Sequence, residues 1–489
     1  MTKKTFFIST SIPYVNASPH IGHALEFVQA DVIARFHRLK EDDVFFLTGT
    51  DDNALKNVQS AAEAYTPVQE FVNANAYKFK TLAKNLGISN DDFIRTSLDE
   101  RHILGAQKLW KSLKAGDIYK KKYRGLYCLG CEEFKTEKDL IDGACPEHPN
   151  KKPEIVEEEN YFFKLSAYQD KLIKLIRDDE IAIIPKERKN EILKFIERGL
   201  EDFSVSRSNE RAKNWGISVP GDSTQKQYVW VDALSNYITA LGYATNDPRF
   251  KKYWENGDQI VHVIGKGINR FHSIYWPALL LSADIRLPKQ IFVHGYLTVN
   301  GLKMSKSLGN VIDPFSIINE YGAEALRYYL VRHVSPFEDG DFTKEGFKEV
   351  YNANLANGLG NLVSRVMKMA TGNEIKFDEK IAKKFAESKE VEELYKKQID
   401  SFEKFNIQEA ANSIWELIGS TDALIQKEQP FKKIKTDKVA GEKDIKELLA
   451  RLDMVGTMLV PILPATAAKI IDLIKNSKMP SEPLFMRKE

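Results

Sequence analysis

Apolar positions along the chain fall into two rhythms. Short runs rich in β-branched and aromatic residues predict strands at Thr5 to Ser11, Val44 to Leu47, His262 to Gly265 and Ile291 to Val293. Between them, apolar residues spaced three and four apart predict helices. One runs from His20 to about Lys40. Others fill much of 55–115 around Phe71, Phe79, Leu82 and Leu86, with a further one beginning near Asp99. Strand, loop, helix N-terminus is the layout of a nucleotide-binding α/β unit. The rhythm then changes. Within 154–212, Asn160 to Phe163 reads as a strand, Tyr168 to Asp178 and Lys186 to Gly199 as helices, and Phe203 to Arg207 as a return to the sheet. A helix is expected over Tyr321 to Leu330. From about Tyr351 helical spacing dominates, over Asn352 to Met369, Lys380 to Ser401, Ile407 to Gln426 and Asp444 to Ile462, as in a helical bundle.

Two stretches carry phosphate-type chemistry. The sixteen residues Gly295 to Asn310 hold two lysines, two serines and three glycines. Glycines leave backbone N–H groups open, and Lys303 and Lys306 supply mobile positive charge, which suits a polyphosphate whose charge grows in a transition state. Near the other end, His20 and His23 lie three apart on one face of a helix's first turn and can donate to phosphate oxygens; Gly22 between them leaves room for a flat base. Alone, His-x-x-His would be two polar first-turn residues. Paired with the lysine loop it points to a ligand.

A third stretch carries metal chemistry. Cys128-x-x-Cys131 is followed, after thirteen residues, by Cys145-x-x-His148. Three thiolates and an imidazole on two tight turns fit one closed tetrahedral zinc site, and a closed site is structural. All three cysteines of the chain are used in it, so a disulfide framework is not expected.

Composition narrows the class. The chain has 489 residues, more than one core accommodates, with 43% hydrophobic and 29% charged residues. Its net charge of +2 means that a polyanion must be met by local patches. No signal-peptide-like leader and no membrane-spanning apolar run is visible, so a cytoplasmic location without membrane attachment is expected.

His20-Ile21-Gly22-His23 with Lys303-Met304-Ser305-Lys306-Ser307 resembles the two signature motifs of class I aminoacyl-tRNA synthetases. Phe292-Val293-His294-Gly295-Tyr296 before the lysine loop and Gly309-Asn310-Val311-Ile312-Asp313-Pro314 after it narrow the resemblance to the methionyl-tRNA synthetase family, and it covers nearly the whole chain. It implies an α/β fold: a Rossmann-type parallel-sheet catalytic domain with a zinc-knuckle insertion and a C-terminal α-helical bundle. It implies ATP-dependent activation of methionine, release of pyrophosphate, and transfer to tRNA(Met), including the initiator, with Mg²⁺ on the polyphosphate and one structural Zn²⁺. The insertion is far too short for the large editing domain of the isoleucine, leucine and valine enzymes.

The same resemblance assigns residues. His20, Gly22, His23, Lys303, Ser305 and Lys306 would meet ATP, and Asp51 would hold the α-ammonium of the amino acid. Trp230, Ala233 and Tyr237 recur at i, i+3, i+7, and Ile268, His272 and Trp276 at i, i+4, i+8; on periodicity alone both stripes read as core. The resemblance makes them, with Ile12, Tyr14 and Asp51, the methionine pocket. Asn361 and Arg365, four apart, and Phe431 would read the anticodon. Phe431 stands where the family usually has tryptophan. Asn53-Ala54 replaces the usual His-Gly, and Gly267 replaces an aspartate.

The expected organisation is a first catalytic half over 1–115, a connective insertion over 116–225, a second catalytic half over 226–300, a lysine-loop and stem-contact region over 301–350, and an anticodon-binding bundle over 351–489. With no appended RNA-binding domain after Glu489, a monomer is expected. Other classes fit less well. A non-catalytic RNA-binding paralogue has only the Asn53-Ala54 and Gly267 departures in its favour. Another class I specificity is opposed by Trp230, Tyr237, His272 and Trp276. A dinucleotide-dependent oxidoreductase lacks its Gly-x-Gly-x-x-Gly turn within residues 9–23.

Overall fold

The computed structural model describes residues 3–128, 130, 133–135, 137–146, 152–304 and 309–489. The chain forms two compact units. One holds residues 1–19, 40–84 and 88–294; the other holds 20–39, 85–87 and 295–489.

The first unit is built on a parallel sheet. Among the described residues its strands are β1 (Thr5–Thr10), β2 (Asp43–Thr50), β3 (Asp92–Arg95), β4 (Ala182–Ile184), β5 (Gln259–Gly265) and β6 (Gln290–His294). They lie in the order β3-β2-β1-β5-β6-β4, every neighbouring pair parallel. The order reverses between β1 and β5, and open α/β sheets bind ligands beyond the carboxyl ends of the strands at such a point. Register there is Ser9 beside His262 and Thr10 beside Val263. Phe7, Phe45, Leu47, Ile260, Ile264, Ile291 and Val293 anchor one continuous core with Trp254, Trp276 and Leu279. A fully buried side chain such as Phe7 contributes roughly 1.5–3 kcal/mol relative to exposure.

Several expected elements take a different form. β3 and β4 have only four and three residues; each is a strand because neighbours pair with it. β4 enters the parallel sheet from within 116–225. Phe203 to Arg207 does not return to that sheet. Phe203–Ser204 closes an antiparallel sheet beside Glu154–Phe163 and Ile118–Cys128, and Ser206–Ser208 pairs with Asp222–Gln227.

Among the described residues the second unit is helical except for a small sheet of Leu302–Lys303, Leu297–Val299 and Gly340–Phe342. The helix expected from His20 is Ile21–Leu39. The one expected over Tyr321 to Leu330 is Ala323–Arg332; a separate helix, Pro314–Tyr321, precedes it, with Gly322 between them at φ +90°. The Lys380 to Ser401 helix divides, into Glu379–Ala386 and Lys389–Glu403, each with its own side-chain cap from Asp378 and Ser388. Ile407–Glu428 and Lys438–Leu459 form the long helices of the bundle, capped by Asn406 and Asp437. Beneath Ile21–Leu39 a buried cation fixes the packing. Arg327 Nη1 lies 2.7 Å from Asp31 Oδ2, both side chains 0% exposed, and Arg327 also donates to the carbonyls of Leu86, Pro461 and Ile462.

Candidate active site

In the first unit the chain leaves β1 into Ile12 and Tyr14, and leaves β2 into Asp51. Tyr14 and Asp51 are joined by a parallel bridge, and the Asp51 N–H donates to the Pro13 carbonyl at 2.9 Å. Helix Val229–Thr239 brings Trp230, Ala233 and Tyr237, and the segment after β5 brings Ile268, His272 and Trp276. The rings meet. Tyr14 and Trp230 centroids are 6.3 Å apart, Trp230 and His272 6.3 Å, and Tyr237 and Trp276 6.1 Å. Ile12, Tyr14, Trp230 and Ile268 are partly buried against the core that contains Tyr237 and Trp276.

The polar groups of this pocket are oriented. His272 Nδ1 faces the Ile268 carbonyl at 3.0 Å, and a carbonyl only accepts, so Nδ1 carries the proton. In the neutral ring Nε2 then accepts from the Tyr237 hydroxyl at 2.7 Å. Beneath them His262, fully buried, is held well below the ordinary histidine range, first by burial and then by His272. The indole N–H groups of Trp230 and Trp276 are buried and have no hydrogen-bond partner among the described residues.

Phe271 belongs to this pocket although its spacing hides it. It stacks on Trp230 with centroids 3.7 Å apart and planes 5° apart. It opens a wider π-type turn over Phe271–Tyr275.

The second unit carries the phosphate-type residues. His20 and His23 flank the first turn of Ile21–Leu39, ring centroids 3.8 Å apart. The His20 N–H donates to His23 Nδ1 at 3.0 Å, and the Gly22 N–H donates to His20 Nδ1 at 3.1 Å. Both Nδ1 atoms therefore accept, which leaves Nε2 of each ring as the N–H donor. Burial pushes His20 down to about 4 and His23 well below the ordinary range, His20 adding to the second shift. At neutral pH these are neutral donors. A Cβ on Gly22 would meet the His20 ring at 2.9 Å and the Met304 methyl at 3.6 Å, so a side chain there would force the imidazole aside. The Ile21 N–H donates to the Ile312 carbonyl at 3.0 Å, tying the helix start to the segment after the lysine loop.

The first part of that loop is a hairpin. Leu297–Val299 pairs with Leu302–Lys303 around Asn300 (φ 53°) and Gly301 (φ 73°), an Asn-Gly turn of the kind that matches strand twist. Asp341 holds its tip, accepting from Gly301 N–H at 2.9 Å and Thr298 Oγ1 at 2.7 Å; sequence reading did not find this anchor. Lys303 is exposed, with Nζ 5.2 Å from the Tyr296 ring centre. The Asn310 amide donates to the Lys303 carbonyl at 3.2 Å. Ser305 and Lys306 lie outside the described residues.

Of the expected zinc ligands, Cys131 and His148 lie outside the described residues. Cys128, at the end of strand Ile118–Cys128, and Cys145 are each 1% exposed. Cys145 follows a tight turn in which Ile141 and Ala144 exchange hydrogen bonds across Asp142 and Gly143, both at positive φ. Two buried thiols, one just past a tight turn, fit a knuckle's donor set. Among the described residues no group of three or more metal-ligating side chains is assembled.

In the helical bundle Asn361 and Arg365 share helix Asn361–Gly372, whose start continues a wider turn over Tyr351–Gly360. Arg365 pairs with Asp422 at 2.5 Å while remaining 30% exposed. Phe431 is 44% exposed in the first turn of Pro430–Thr436. No helix among the described residues is long and apolar enough to cross a membrane.

A parallel sheet with its switch point beside β1, a histidine pair opening the next helix and a lysine hairpin after the last strand define the class I aminoacyl-tRNA synthetases. The family model described as tRNA synthetases class I (M) matches residues 6–152 and 148–367. The chain is 41% identical over 487 residues to the methionine--tRNA ligase of Brucella suis biovar 1 (strain 1330), covering 97% of this chain and 92% of that one. It is 40% identical over 501 residues to that of Thermotoga maritima, covering 98% and 76%. The structure of Mycobacterium tuberculosis methionyl-tRNA synthetase in complex with methionyl-adenylate matches with a TM-score of 0.88 at 35% identity, covering 99% of this chain and 98% of that one. The chain belongs to the methionine--tRNA ligase family.

Proposed function

We propose that the residues described above divide the work of one ATP-dependent reaction, in which methionine is activated and then joined to tRNA. The chain is a methionine–tRNA ligase. In the first step a methionine carboxylate oxygen attacks the α-phosphorus of ATP. The acyl–phosphate bond forms, the bond to the bridging oxygen breaks, and pyrophosphate leaves. In the second, a ribose hydroxyl of the tRNA's terminal adenosine attacks the carbonyl carbon and AMP leaves.

Asp51 holds the α-ammonium, which orients the carboxylate toward phosphorus. Ile12, Tyr14, Trp230, Ala233, Tyr237, Ile268, His272 and Trp276 enclose the side chain, selecting an unbranched thioether by shape and aromatic contact. His20 and His23 donate neutral N–H groups to phosphate oxygens, Gly22 lets the adenine approach the backbone, and Lys303, Ser305 and Lys306 meet the charge that develops. Mg²⁺ bound to the polyphosphate supplies further neutralisation. Cys128, Cys131, Cys145 and His148 hold one structural Zn²⁺ that fixes the knuckle of the insertion at 116–225. Residues 351–489 read the anticodon through Asn361, Arg365 and Phe431. Residues 1–115 and 226–300 form the two catalytic halves, with 301–350 contacting the stem.

The observation that carries this reading is the pocket of the first unit, where an oriented Tyr237–His272 pair lies among Tyr14, Trp230 and Trp276 within the unit that also holds buried Asp51. Amino-acid-dependent ATP–pyrophosphate exchange tests it. Methionine should support exchange, and leucine, isoleucine and cysteine should not. Comparable exchange with leucine or isoleucine would overturn the assignment of the pocket.

A further inference from the structure

Asn53 stands between two buried carboxylates. Its backbone N–H donates to Asp51 Oδ1 at 3.0 Å, and its side-chain Nδ2 donates to Asp232 Oδ2 at 2.7 Å. The same amide nitrogen lies 3.3 Å from the Thr96 carbonyl, and the residue is 9% exposed. Asp232, 1% exposed, sits in helix Val229–Thr239 between Trp230 and Ala233. Its other oxygen is 2.5 Å from Nε2 of fully buried His102, whose Nδ1 lies 2.9 Å from Thr239 Oγ1 on that helix. Helix Glu100–Ser112 is therefore clamped to Val229–Thr239 at Asp232 and Thr239. A Cβ on Gly105 would come within 2.3 Å of Thr239 Cγ2, so the two helices approach as closely as glycine permits.

We propose that Asn53 is a positioning residue that locks the Asp51 carboxylate to the helix carrying Trp230, Ala233 and Tyr237, through Asp232 and His102. The inference rests on the reading of Asp51 as the ammonium partner of methionine. The chemistry requires a donor at this position. Asp232 accepts from His102 on one side and needs a second donor on the other, since a buried carboxylate oxygen left unpaired is costly. An amide supplies it while its own backbone N–H serves Asp51. One short residue thus sets the distance between the group that binds the ammonium and the helix that encloses the side chain. Thr96 completes the frame, its hydroxyl accepting from the Asp52 N–H at 2.8 Å.

A swap of donor and acceptor tests this. Asn53→Asp places an acceptor against Asp232, and Asp232→Asn a donor against Asn53; the double variant restores a complementary pair in the opposite sense. Exchange kinetics are measured with methionine and ATP varied separately, alongside thermal unfolding. Each single variant is expected to raise KM for methionine by roughly tenfold or more, with KM for ATP nearly unchanged, and the double variant to recover most of that loss. Asn53→Ala, which keeps the backbone N–H, should shift the same KM in the same direction. A folded Asn53→Ala or Asn53→Asp with the unaltered methionine KM would overturn the proposal. So would a folded double variant no better than either single one, or failure of every Asn53 variant to fold, which would make the residue a folding element only. Absence of methionine-dependent exchange in the unaltered chain would instead overturn the reading of Asp51.

Discussion

In the first unit Asp51 and Tyr237 are each 1% exposed and Trp276 is 0%. Hydrogen bonds already orient part of this group: Asp51 Oδ1 accepts from Asn53, Tyr237 pairs with His272, and His272 with the Ile268 carbonyl. In the second unit Lys303 stands exposed on a two-stranded hairpin, and the half-buried histidines at the helix start are neutral. On the proposed reading an uncharged thioether is selected by a shape that exists before it arrives, which a packed and oriented group of side chains would supply. A cation is costly to bury without its partner, and Lys303 sits in water on a hairpin held by a few hydrogen bonds, as a polyphosphate ligand would require. On the proposed reading, half-buried His20 and His23 would meet phosphate as neutral N–H donors.

The comparison can be broken first at the foundation of the second unit. Arg327→Met removes one of two guanidinium partners of buried Asp31, the other being Arg35 at 2.7 Å, and strips donors from three carbonyls, so a loss of roughly 1–3 kcal/mol is expected in urea unfolding. A change below about 1 kcal/mol would mean that the ion pair does not hold the helix that carries His23.

The oriented pocket comes next. His272→Ala removes the partner of the buried Tyr237 hydroxyl, and a rise of about 10–100-fold in KM for methionine is expected, with KM for ATP little changed. An equal rise in both constants would place His272 in general folding rather than selection.

Phe431→Ala should leave pyrophosphate exchange intact and weaken tRNA charging, since a stacked base contributes roughly 1–3 kcal/mol. Aminoacylation kinetics with varied tRNA read this directly.

The smallest effect is in pH. His20 titrates at about 4 in the folded chain against an ordinary value of 6.5, so the folded state binds fewer protons than the unfolded one between those values. The associated stability is fully present above 6.5 and is lost as pH falls toward about 4. Unfolding measured across that window should decline less steeply in His20→Gln than in the unaltered chain.

What was legible in the sequence follows the same division. The histidine pair and the lysine hairpin are short local motifs bounded by a strand and a helix, and their turn residues, such as Asn300-Gly301, announce themselves. The pocket is legible only as two stripes of helical spacing, and Phe271, which stacks on Trp230, falls outside both. His102 and Asp232 are 130 positions apart and meet only because Gly105 lets two helices close. Nothing local marks such a pair. Strands β3 and β4 are similarly silent, because pairing with longer neighbours makes them strands. Phe203 to Arg207 has the apolar and β-branched texture of a sheet strand, yet its hydrogen bonds go to two antiparallel sheets, a choice set by tertiary pairing.

The division between selection and charge is tested most directly by ATP–pyrophosphate exchange on Lys306→Ala, with kcat and KM for methionine resolved separately. If Lys306 meets only the charge that develops on the phosphates, kcat falls by roughly a thousandfold while KM for methionine stays within about threefold. A raised KM for methionine at unchanged kcat, or an active variant with neither constant moved, would contradict it.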